Sequence, residues 1–246
     1  MNRKEFIKNS LIIGTGLSVL PSFSMGLFQN SYSRNQLIGL GNPDIIGDSY
    51  TSKMHKETVI ALAKMKTAAA LESIRIEVVS AYRSFQRQKE IYEDKYQRYI
   101  SQGLSPTEAI EKIVEYSTIP GTSRHHWGTD IDIIDSNAAQ PENILQARHF
   151  HGKGPYCKLK EWLDEHAESF GFYEVYTDDP RRKGFEYEPW HLSYAPISRP
   201  MMKAYKELDL KTVFQEEKIM GSEYFTDDFI SKYRKENILD INPDLL

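Results

Sequence analysis

Segments with helical spacing of apolar residues and segments with strand-like patterns follow one another irregularly in this chain, and that order limits its fold. The helical segments are residues 54–71, 84–100, 105–116 and 159–170, and the strand-like segments are residues 74–80, 129–134, 172–176 and 187–194. A parallel sheet built from βαβ units would require regular alternation of the two. The sequence therefore predicts an α+β fold, with a mostly antiparallel sheet flanked by helices.

The composition excludes several other classes of protein. Cys157 is the only cysteine among 246 residues, which excludes an internal disulfide framework and a cysteine-rich zinc site. The formal net charge of −4 argues against a nucleic-acid partner. No apolar run reaches the roughly 20 residues that a membrane-spanning helix needs. We expect a globular protein stabilised by core packing, with no integral membrane span in the mature chain. The oligomeric state stays open, with a monomer favoured.

The two ends of the chain differ from its middle. Residues 1–24 combine a basic patch, a short apolar run and small residues at Ser22 and Ser24, which is typical of an export signal peptide. The start resembles a twin-arginine signal, but Lys4 stands where the second arginine belongs, so the export route stays open. A buried N-terminal helix is the alternative. The remaining predicted parts are a linker or N-terminal arm (25–50), the main domain (51–200) and a C-terminal helical extension on its surface (201–246).

Three segments carry side chains suited to catalysis. They are residues 80–85 (SAYRSF), 123–132 (SRHHWGTDID) and 188–191 (EPWH). Two histidines and one carboxylate leave an open position on a tetrahedral zinc ion, as a catalytic site requires. A further free carboxylate beside the metal can serve as the general base in hydrolysis. Each segment alone fits a structural role, but together they indicate a metal-dependent hydrolase.

Two features of these segments lead to geometric expectations. Glu188 and His191 are three residues apart, so a flat strand would place them on opposite faces. The chain must therefore bulge or turn at Pro189 if both side chains face one metal. Arg83 stands between a predicted strand and a predicted helix, where a guanidinium and a helix N-terminus can both bind an anion. The alternative for Arg83 is a surface or capping charge.

The three segments resemble the motifs of the VanY-type zinc D-alanyl-D-alanine carboxypeptidases, which share a metal-site fold with lysostaphin-type peptidases and hedgehog domains. Residues 123–132 match Ser-x-His-x-x-Gly-x-x-x-Asp, and residues 188–191 match Glu-x-Trp-His. Residues 80–84 with Gln88 match Ser-x-Tyr-Arg-Ser and a following glutamine. Three motifs in the same order, within residues 51–198, make the resemblance specific.

This resemblance implies a hedgehog/DD-peptidase-like zinc peptidase domain over residues 51–200, with Zn²⁺ as its cofactor. It assigns a role to seven residues of this chain. They are the zinc ligands His125, Asp132 and His191, the catalytic base Glu188, and the substrate-binding residues Arg83, Gln88 and Ser123.

Several other polar residues stand near these motifs. Asp130 departs from the family pattern, because many relatives have alanine there, and it either orients a histidine from outside the metal shell or points to solvent. His126 is predicted to have a structural or supporting role. His149 and His151 are predicted to lie in a loop, and Cys157 is predicted to be a buried or half-buried thiol.

The leading functional hypothesis is a zinc-dependent D,D-carboxypeptidase, exported to the periplasm or cell envelope. Its partner would be a peptidoglycan stem peptide ending in D-alanine. An L,D-carboxypeptidase and a peptidoglycan endopeptidase share the same motifs and stay open. A zinc-stabilised binding module that breaks no bond is the more distant alternative. A base at Glu188 and a carboxylate receptor at Arg83 favour an enzyme over such a module.

Overall fold

The computed structural model describes residues 32–246, so the predicted export signal and the first residues of the predicted arm lie outside it. The helices are α1 (Arg34–Ile38), α2 (Lys56–Leu71), α3 (Phe85–Ser101), α4 (Pro106–Val114), α5 (Cys157–His166), α6 (Ala195–Tyr205), α7 (Leu210–Glu216) and α8 (Asp227–Tyr233). The strands are β1 (Ile45–Ile46), β2 (Met54–His55), β3 (Ile76–Ser80), β4 (Asp130–Asp135), β5 (Phe172–Glu174) and β6 (His191–Tyr194).

Four strands form an antiparallel sheet in the order β3-β4-β6-β5, and β1 pairs with β2 separately. The predicted α+β fold with an antiparallel sheet is confirmed. In the central pair, Asp132 of β4 lies opposite His191 of β6, and Asp130 lies opposite Ser193. Directly opposite residues hold their Cβ atoms about 4.5–5.5 Å apart. The register therefore brings the carboxylates of β4 next to the first residue of β6.

Two hydrophobic clusters hold these elements together. The first joins α2 and α5 to the sheet and includes Met65, Ile133 and Leu159. The second joins α1, α3 and α4 to the helices that follow residue 195, and it includes Tyr92 and Phe214. The candidate site lies on the central strands β4 and β6, whose Ile131, Ile133 and Leu192 belong to the first cluster.

Residues 32–50 contain more structure than the predicted linker. Ser33 Oγ accepts a hydrogen bond from the Gln36 backbone, and Gln36 Oε1 accepts one from the Ser33 backbone, which forms a capping box at the start of α1. Leu37 and Ile38 are buried in the second cluster. The helix has five residues, which is too short for apolar periodicity to indicate it.

The predicted strand over residues 187–194 begins only at His191. The His191 N–H donates to the Glu188 carbonyl at 3.0 Å, so residues 188–191 form a turn. Pro189 has no N–H for a strand ladder, which favours this break. The turn provides the change of direction that the sequence predicted at Pro189, and it brings the Glu188 and His191 side chains within 2.8 Å.

Residues 201–246 contain the end of α6, α7 and α8, and they supply much of the second cluster. Helix α6 continues through Pro200, where the sequence placed a boundary. Met201, Phe214 and Tyr233 are buried in the same cluster as Tyr92 of α3. The residues after 200 therefore pack as part of the core and not only on its surface.

Candidate metal centre

The three predicted ligands come from three structural elements. His125 lies in the short 3₁₀ turn Arg124–Trp127, which ends at Gly128 with φ of 69°. Asp132 lies in β4, and His191 starts β6 directly opposite it. The left-handed conformation of Gly128, which glycine adopts without strain, directs the chain from the turn into β4. One turn and one strand pair thus assemble the whole group.

The ligand atoms of His125, Asp132 and His191 all lie within 4.8 Å of one another, and all three residues are buried. His125 Nε2 is 3.5 Å from Asp132 Oδ2, and His191 Nδ1 is 3.8 Å from Asp132 Oδ1. Within residues 32–246, this is the group of histidine and carboxylate side chains that can hold a metal ion. The structure therefore brings the predicted zinc ligands together.

The second nitrogen of each histidine is already hydrogen-bonded. His125 Nδ1 donates to the Ala81 carbonyl at 2.8 Å, since a carbonyl oxygen can only accept. His191 Nε2 lies 3.0 Å from Asp130 Oδ2, a carboxylate that also can only accept while ionised. These bonds direct His125 Nε2 and His191 Nδ1 toward Asp132. An outer partner of this kind fixes the orientation of histidine ligands in metal sites.

The donor set fits a zinc ion. Asp132 Oδ1 is buried and has no hydrogen-bond partner among residues 32–246, although buried carboxylate oxygens are normally satisfied. Two imidazole nitrogens and one carboxylate oxygen are a ligand set of catalytic zinc, which leaves one position open. This oxygen lies 3.8 Å from His191 Nδ1, and the other oxygen of Asp132 lies 3.5 Å from His125 Nε2, so the carboxylate is best explained as a metal ligand.

The two histidines hold different charges when no metal is bound. Burial lowers the pKa of His125 to about 4, although Asp132 opposes this effect. Burial would also lower the pKa of His191, but its hydrogen bonds to Asp130 and Glu188 raise it to about 10. Burial acts to raise the pKa of Asp130, and the charge of Arg124 together with the His191 hydrogen bond outweighs it and lowers that pKa. Metal-free protein at neutral pH therefore contains neutral His125 and charged His191.

A cavity of about 200 Å³ opens beside the three ligands. Glu188 lines it next to His191, and Arg83 and Ser123 also line it. Gln88 is fully buried behind Arg83: its Oε1 accepts from Arg83 Nη1 at 3.0 Å, and its Nε2 donates to the Thr118 carbonyl at 2.7 Å. Gln88 does not itself line the cavity, and it affects the cavity by holding the Arg83 guanidinium.

Six residues that line the cavity were not predicted from the sequence. Its further lining comes from side chains outside the three motifs, namely Tyr116, Ser117, Thr118, Leu145, Tyr176 and Phe185. Tyr176 packs edge-on against His191, with ring centroids 5.1 Å apart. These residues lie in loops whose positions depend on distant parts of the chain, so no local pattern indicates them. Trp190, from the third motif, also lines the cavity.

Of the other polar residues named from the sequence, some contact the residues of the candidate site and others lie elsewhere. Asp130 is fully buried against His191, so the solvent-facing alternative is wrong. His126 Nδ1 donates to the Arg83 carbonyl at 2.6 Å, and its Nε2 accepts from the Gly121 N–H, which is the predicted structural role. His151 contacts Tyr187. Cys157 is a free, half-buried thiol.

An antiparallel sheet that presents a buried His–Asp–His group beside an arginine-lined cavity is the architecture expected of the peptidases that the motifs resemble. The chain belongs to the VanY family, because the family model described as D-alanyl-D-alanine carboxypeptidase matches residues 51–197. The resemblance stated from the three motifs is confirmed.

Individual relatives agree with this assignment. A D-alanyl-D-alanine carboxypeptidase of Enterococcus faecalis is 29% identical over 152 residues, or 61% of this chain and 52% of that protein. An uncharacterized protein of Haemophilus influenzae is 30% identical over 107 residues, or 43% of this chain and 82% of that protein. The solved structure of the LdcB LD-carboxypeptidase is similar with a TM-score of 0.51 and 26% identity, over 75% of this chain and 78% of that protein. The chain spans about half the length of the Enterococcus relative.

Proposed function

We propose that this protein is a zinc-dependent D,D-carboxypeptidase that releases C-terminal D-alanine from peptidoglycan stem peptides. The observation that carries the proposal is one cavity lined by the His–Asp–His group, by Glu188 and by Arg83. Membership of the VanY family and the D-alanyl-D-alanine carboxypeptidase of Enterococcus faecalis support the substrate class. When held by His125, Asp132 and His191, zinc supplies a Lewis acid for the scissile carbonyl.

Glu188 is the proposed general base. Its Oε2 accepts a hydrogen bond from His191 Nδ1 at 2.8 Å, and that nitrogen also faces Asp132. Loss of the His191 Nδ1 proton frees the Glu188 carboxylate beside the cavity. The carboxylate then removes a proton from the attacking water and delivers it to the leaving amine.

Arg83 is the proposed receptor for the terminal carboxylate of the substrate. Gln88 holds one guanidinium nitrogen, while the buried Nε has no hydrogen-bond partner among residues 32–246. Buried donors are normally satisfied, so this N–H indicates a missing acceptor. A guanidinium binds a carboxylate through two parallel hydrogen bonds. An exopeptidase requires such a contact in order to recognise a free chain end.

A single digest tests the proposed bond. Zinc-loaded protein is incubated separately with a stem pentapeptide ending in D-Ala-D-Ala, with a stem tetrapeptide and with a cross-linked pair of stem peptides, and the product masses are read. Loss of one alanine from the pentapeptide alone supports D,D-carboxypeptidase activity. Loss from the tetrapeptide alone contradicts it and favours an L,D-carboxypeptidase, the activity named for LdcB. Cleavage restricted to cross-linked peptides would identify an endopeptidase. Tight zinc binding without cleavage would favour a binding module.

The proposed site of action is the cell envelope. Its support is the export-signal pattern of residues 1–24 and the cell-wall substrate of the Enterococcus relative's named activity. Among residues 32–246, no helix has the length and apolarity needed to cross a membrane. Protein isolated from the native envelope is expected to begin near Met25. An active form that retains Met1 in the cytoplasm would contradict the proposal.

A further inference from the structure

Asp130 is a buried carboxylate beside the candidate metal centre but outside its ligand group. It lies in β4, opposite Ser193, with its side chain fully buried. Its Oδ2 accepts from His191 Nε2 at 3.0 Å and from Arg124 Nε at 2.8 Å. Its Oδ1 accepts from Ser193 Oγ at 2.6 Å and from Thr129 Oγ1 at 2.8 Å. Four donors from three elements thus fix the position of both oxygens.

Arg124 keeps this carboxylate ionised and in place. Its Nη2 donates to Ser193 Oγ at 2.7 Å, and its guanidinium packs over the Trp127 ring at 4.9 Å. A buried carboxylate without an opposite charge is strongly unfavourable, and the Arg124 charge offsets that cost. Both side chains of this ion pair are buried, since Arg124 is 4% exposed and Asp130 is 0% exposed.

The orientation of His191 follows from this cluster. An ionised carboxylate accepts but does not donate, so the Asp130 contact requires the proton on His191 Nε2. The same contact directs His191 Nδ1 toward Asp132 Oδ1, at 3.8 Å. A ring turned over would place a carbon atom against Asp130 and lose the bond.

We propose that Asp130, held by Arg124 and Ser193, is a positioning residue that fixes the tautomer and ring orientation of His191 for metal binding. This inference rests on the proposed function, because it takes His191 as a zinc ligand. It gives a role to a charged residue that the ligand group itself does not require. Loss of an outer carboxylate partner typically weakens metal affinity by about 10–100-fold.

The experiment measures zinc affinity by competition with a chromophoric chelator, for wild type and for Asp130→Ala and Asp130→Asn. Both variants are expected to bind zinc about 10–100-fold more weakly than wild type. Their Co²⁺-loaded forms should also change the visible absorption bands that report ligand geometry. Asp135→Asn is the matched control, since Asp135 is a buried carboxylate of the same strand that accepts from the Arg75 and Asn137 backbones. This control should keep the zinc affinity of wild type.

Two comparisons make each outcome decisive. Folded Asp130 variants that bind zinc like wild type would overturn the role of Asp130, provided that His191→Ala loses zinc. If His191→Ala retained zinc, the metal site itself would be wrong. Wild-type protein gives an answer even if the Asp130 variants do not fold. In ¹⁵N-histidine spectra of the zinc-loaded protein, His191 should carry a slowly exchanging Nε2 proton and bind zinc through Nδ1. Coordination through Nε2 would overturn the inference.

Discussion

At the scale of single residues, His125 and His191 lie with ring centroids 4.7 Å apart yet hold different charges. Burial is the largest cause that lowers the pKa of His125 to about 4, in spite of Asp132, whereas the hydrogen bonds to Asp130 and Glu188 overcome burial and raise the pKa of His191 to about 10. The two carboxylates that hydrogen-bond His191 favour its charged form enough to outweigh burial. His125 is therefore ready to bind a metal, and His191 must first lose a proton.

This difference predicts a proton release on metal binding. At pH 6, zinc should displace close to one proton, from His191, and the affinity should rise about tenfold per pH unit. Calorimetry in buffers of different ionisation enthalpy measures the number of protons. The folding stability of the metal-free protein should instead fall as pH rises. The raised pKa of His191 contributes its full stabilisation below the unfolded value of about 6.5, and this stabilisation is lost as pH rises toward 10. Binding without proton release at pH 6 would contradict the charged state of His191.

Glu188 allows a second prediction at this scale. Glu188→Ala should keep the fold and the zinc but lower turnover by roughly 10²–10⁴-fold, the usual contribution of a general base. The side chain is partly exposed, so its loss leaves no large buried cavity. A rate measurement beside a melting curve and a zinc titration separates the roles. A variant that melts earlier but keeps its rate per folded molecule would mark Glu188 as structural.

Arg83 leads to a third prediction, which tests recognition of the free chain end. Losing a charged hydrogen bond costs about 1.5–3 kcal/mol, so Arg83→Ala should lower kcat/KM by roughly 10–150-fold with zinc retained. Amidating the C-terminus of the substrate should cost wild type a similar factor and the variant little, because both changes remove one contact. All four combinations of enzyme and substrate are assayed. Losses that simply multiply would show that Arg83 does not bind the carboxylate.

At the scale of elements, the site depends on how one turn enters one strand. Gly128 ends the turn that carries His125, and a Cβ there would lie 2.2 Å from Ile45 Cδ1 and 2.8 Å from the His55 nitrogen. The left-handed φ of 69° adds strain for any other residue. The close approach of β1 and β2 and the backbone conformation therefore both require glycine at this position.

Gly128→Ala should destabilise the fold by more than the strain of a left-handed residue, which is of order 1–3 kcal/mol. It should also weaken zinc binding, because the shift required at residue 128 is transmitted to His125. Gly103→Ala is the matched control: Gly103 has φ of 93° and open space around its Cβ position, so strain is its only cost. Denaturant unfolding and zinc titration measure both variants. Equal effects on zinc affinity would argue that close packing at Gly128 is unimportant.

The elements also explain which parts of the structure were predictable. The helical spacing over residues 105–116 indicated α4, and the strand-like pattern of residues 129–134 indicated β4, because both signals are local. Helix α1 has only five residues, which is too short for such a pattern, so the sequence indicated a linker or arm there. The resemblance to the VanY motifs implied the three ligands, and the pairing of β4 with β6 accounts for the closeness of Asp132 and His191. The cavity walls were not predictable, because Tyr116 and Phe185 meet through tertiary contacts.

At the scale of the whole molecule, two loops form the walls of the cavity, and the C-terminal segment 227–246 holds both. Tyr233 OH accepts from the Ile119 N–H at 3.0 Å in the first loop, residues 115–123. Asp240 Oδ2 accepts from the Lys183 and Gly184 N–H groups at 2.6 and 2.9 Å in the second loop, residues 175–190. The family model matches residues 51–197, so these supports lie beyond the matched region.

These contacts predict a role for the C-terminal segment in substrate binding. Tyr233→Phe removes the acceptor of a buried backbone N–H, and Asp240→Ala removes the acceptor of two more. Each hydrogen bond contributes about 0.5–1.5 kcal/mol, so KM should rise by about 2–10-fold in each variant. Zinc affinity should stay unchanged, because neither residue contacts the His–Asp–His group. Asp227→Ala is the control, since its exposed ion pair with Lys211 touches neither wall.

Gly184 lies in the second loop, and a substitution there also tests the contact between that loop and the C-terminal segment. A Cβ at this residue would lie 1.9 Å from the Glu236 carbonyl oxygen, so Gly184→Ala must push the second loop away from the C-terminal segment. Because a backbone atom cannot yield as a flexible side chain does, the loop itself has to move. The variant should raise KM at least as much as Asp240→Ala while it keeps its zinc. If kcat and zinc affinity fell together and KM stayed constant, the C-terminal segment would stabilise the metal centre instead of the cavity walls.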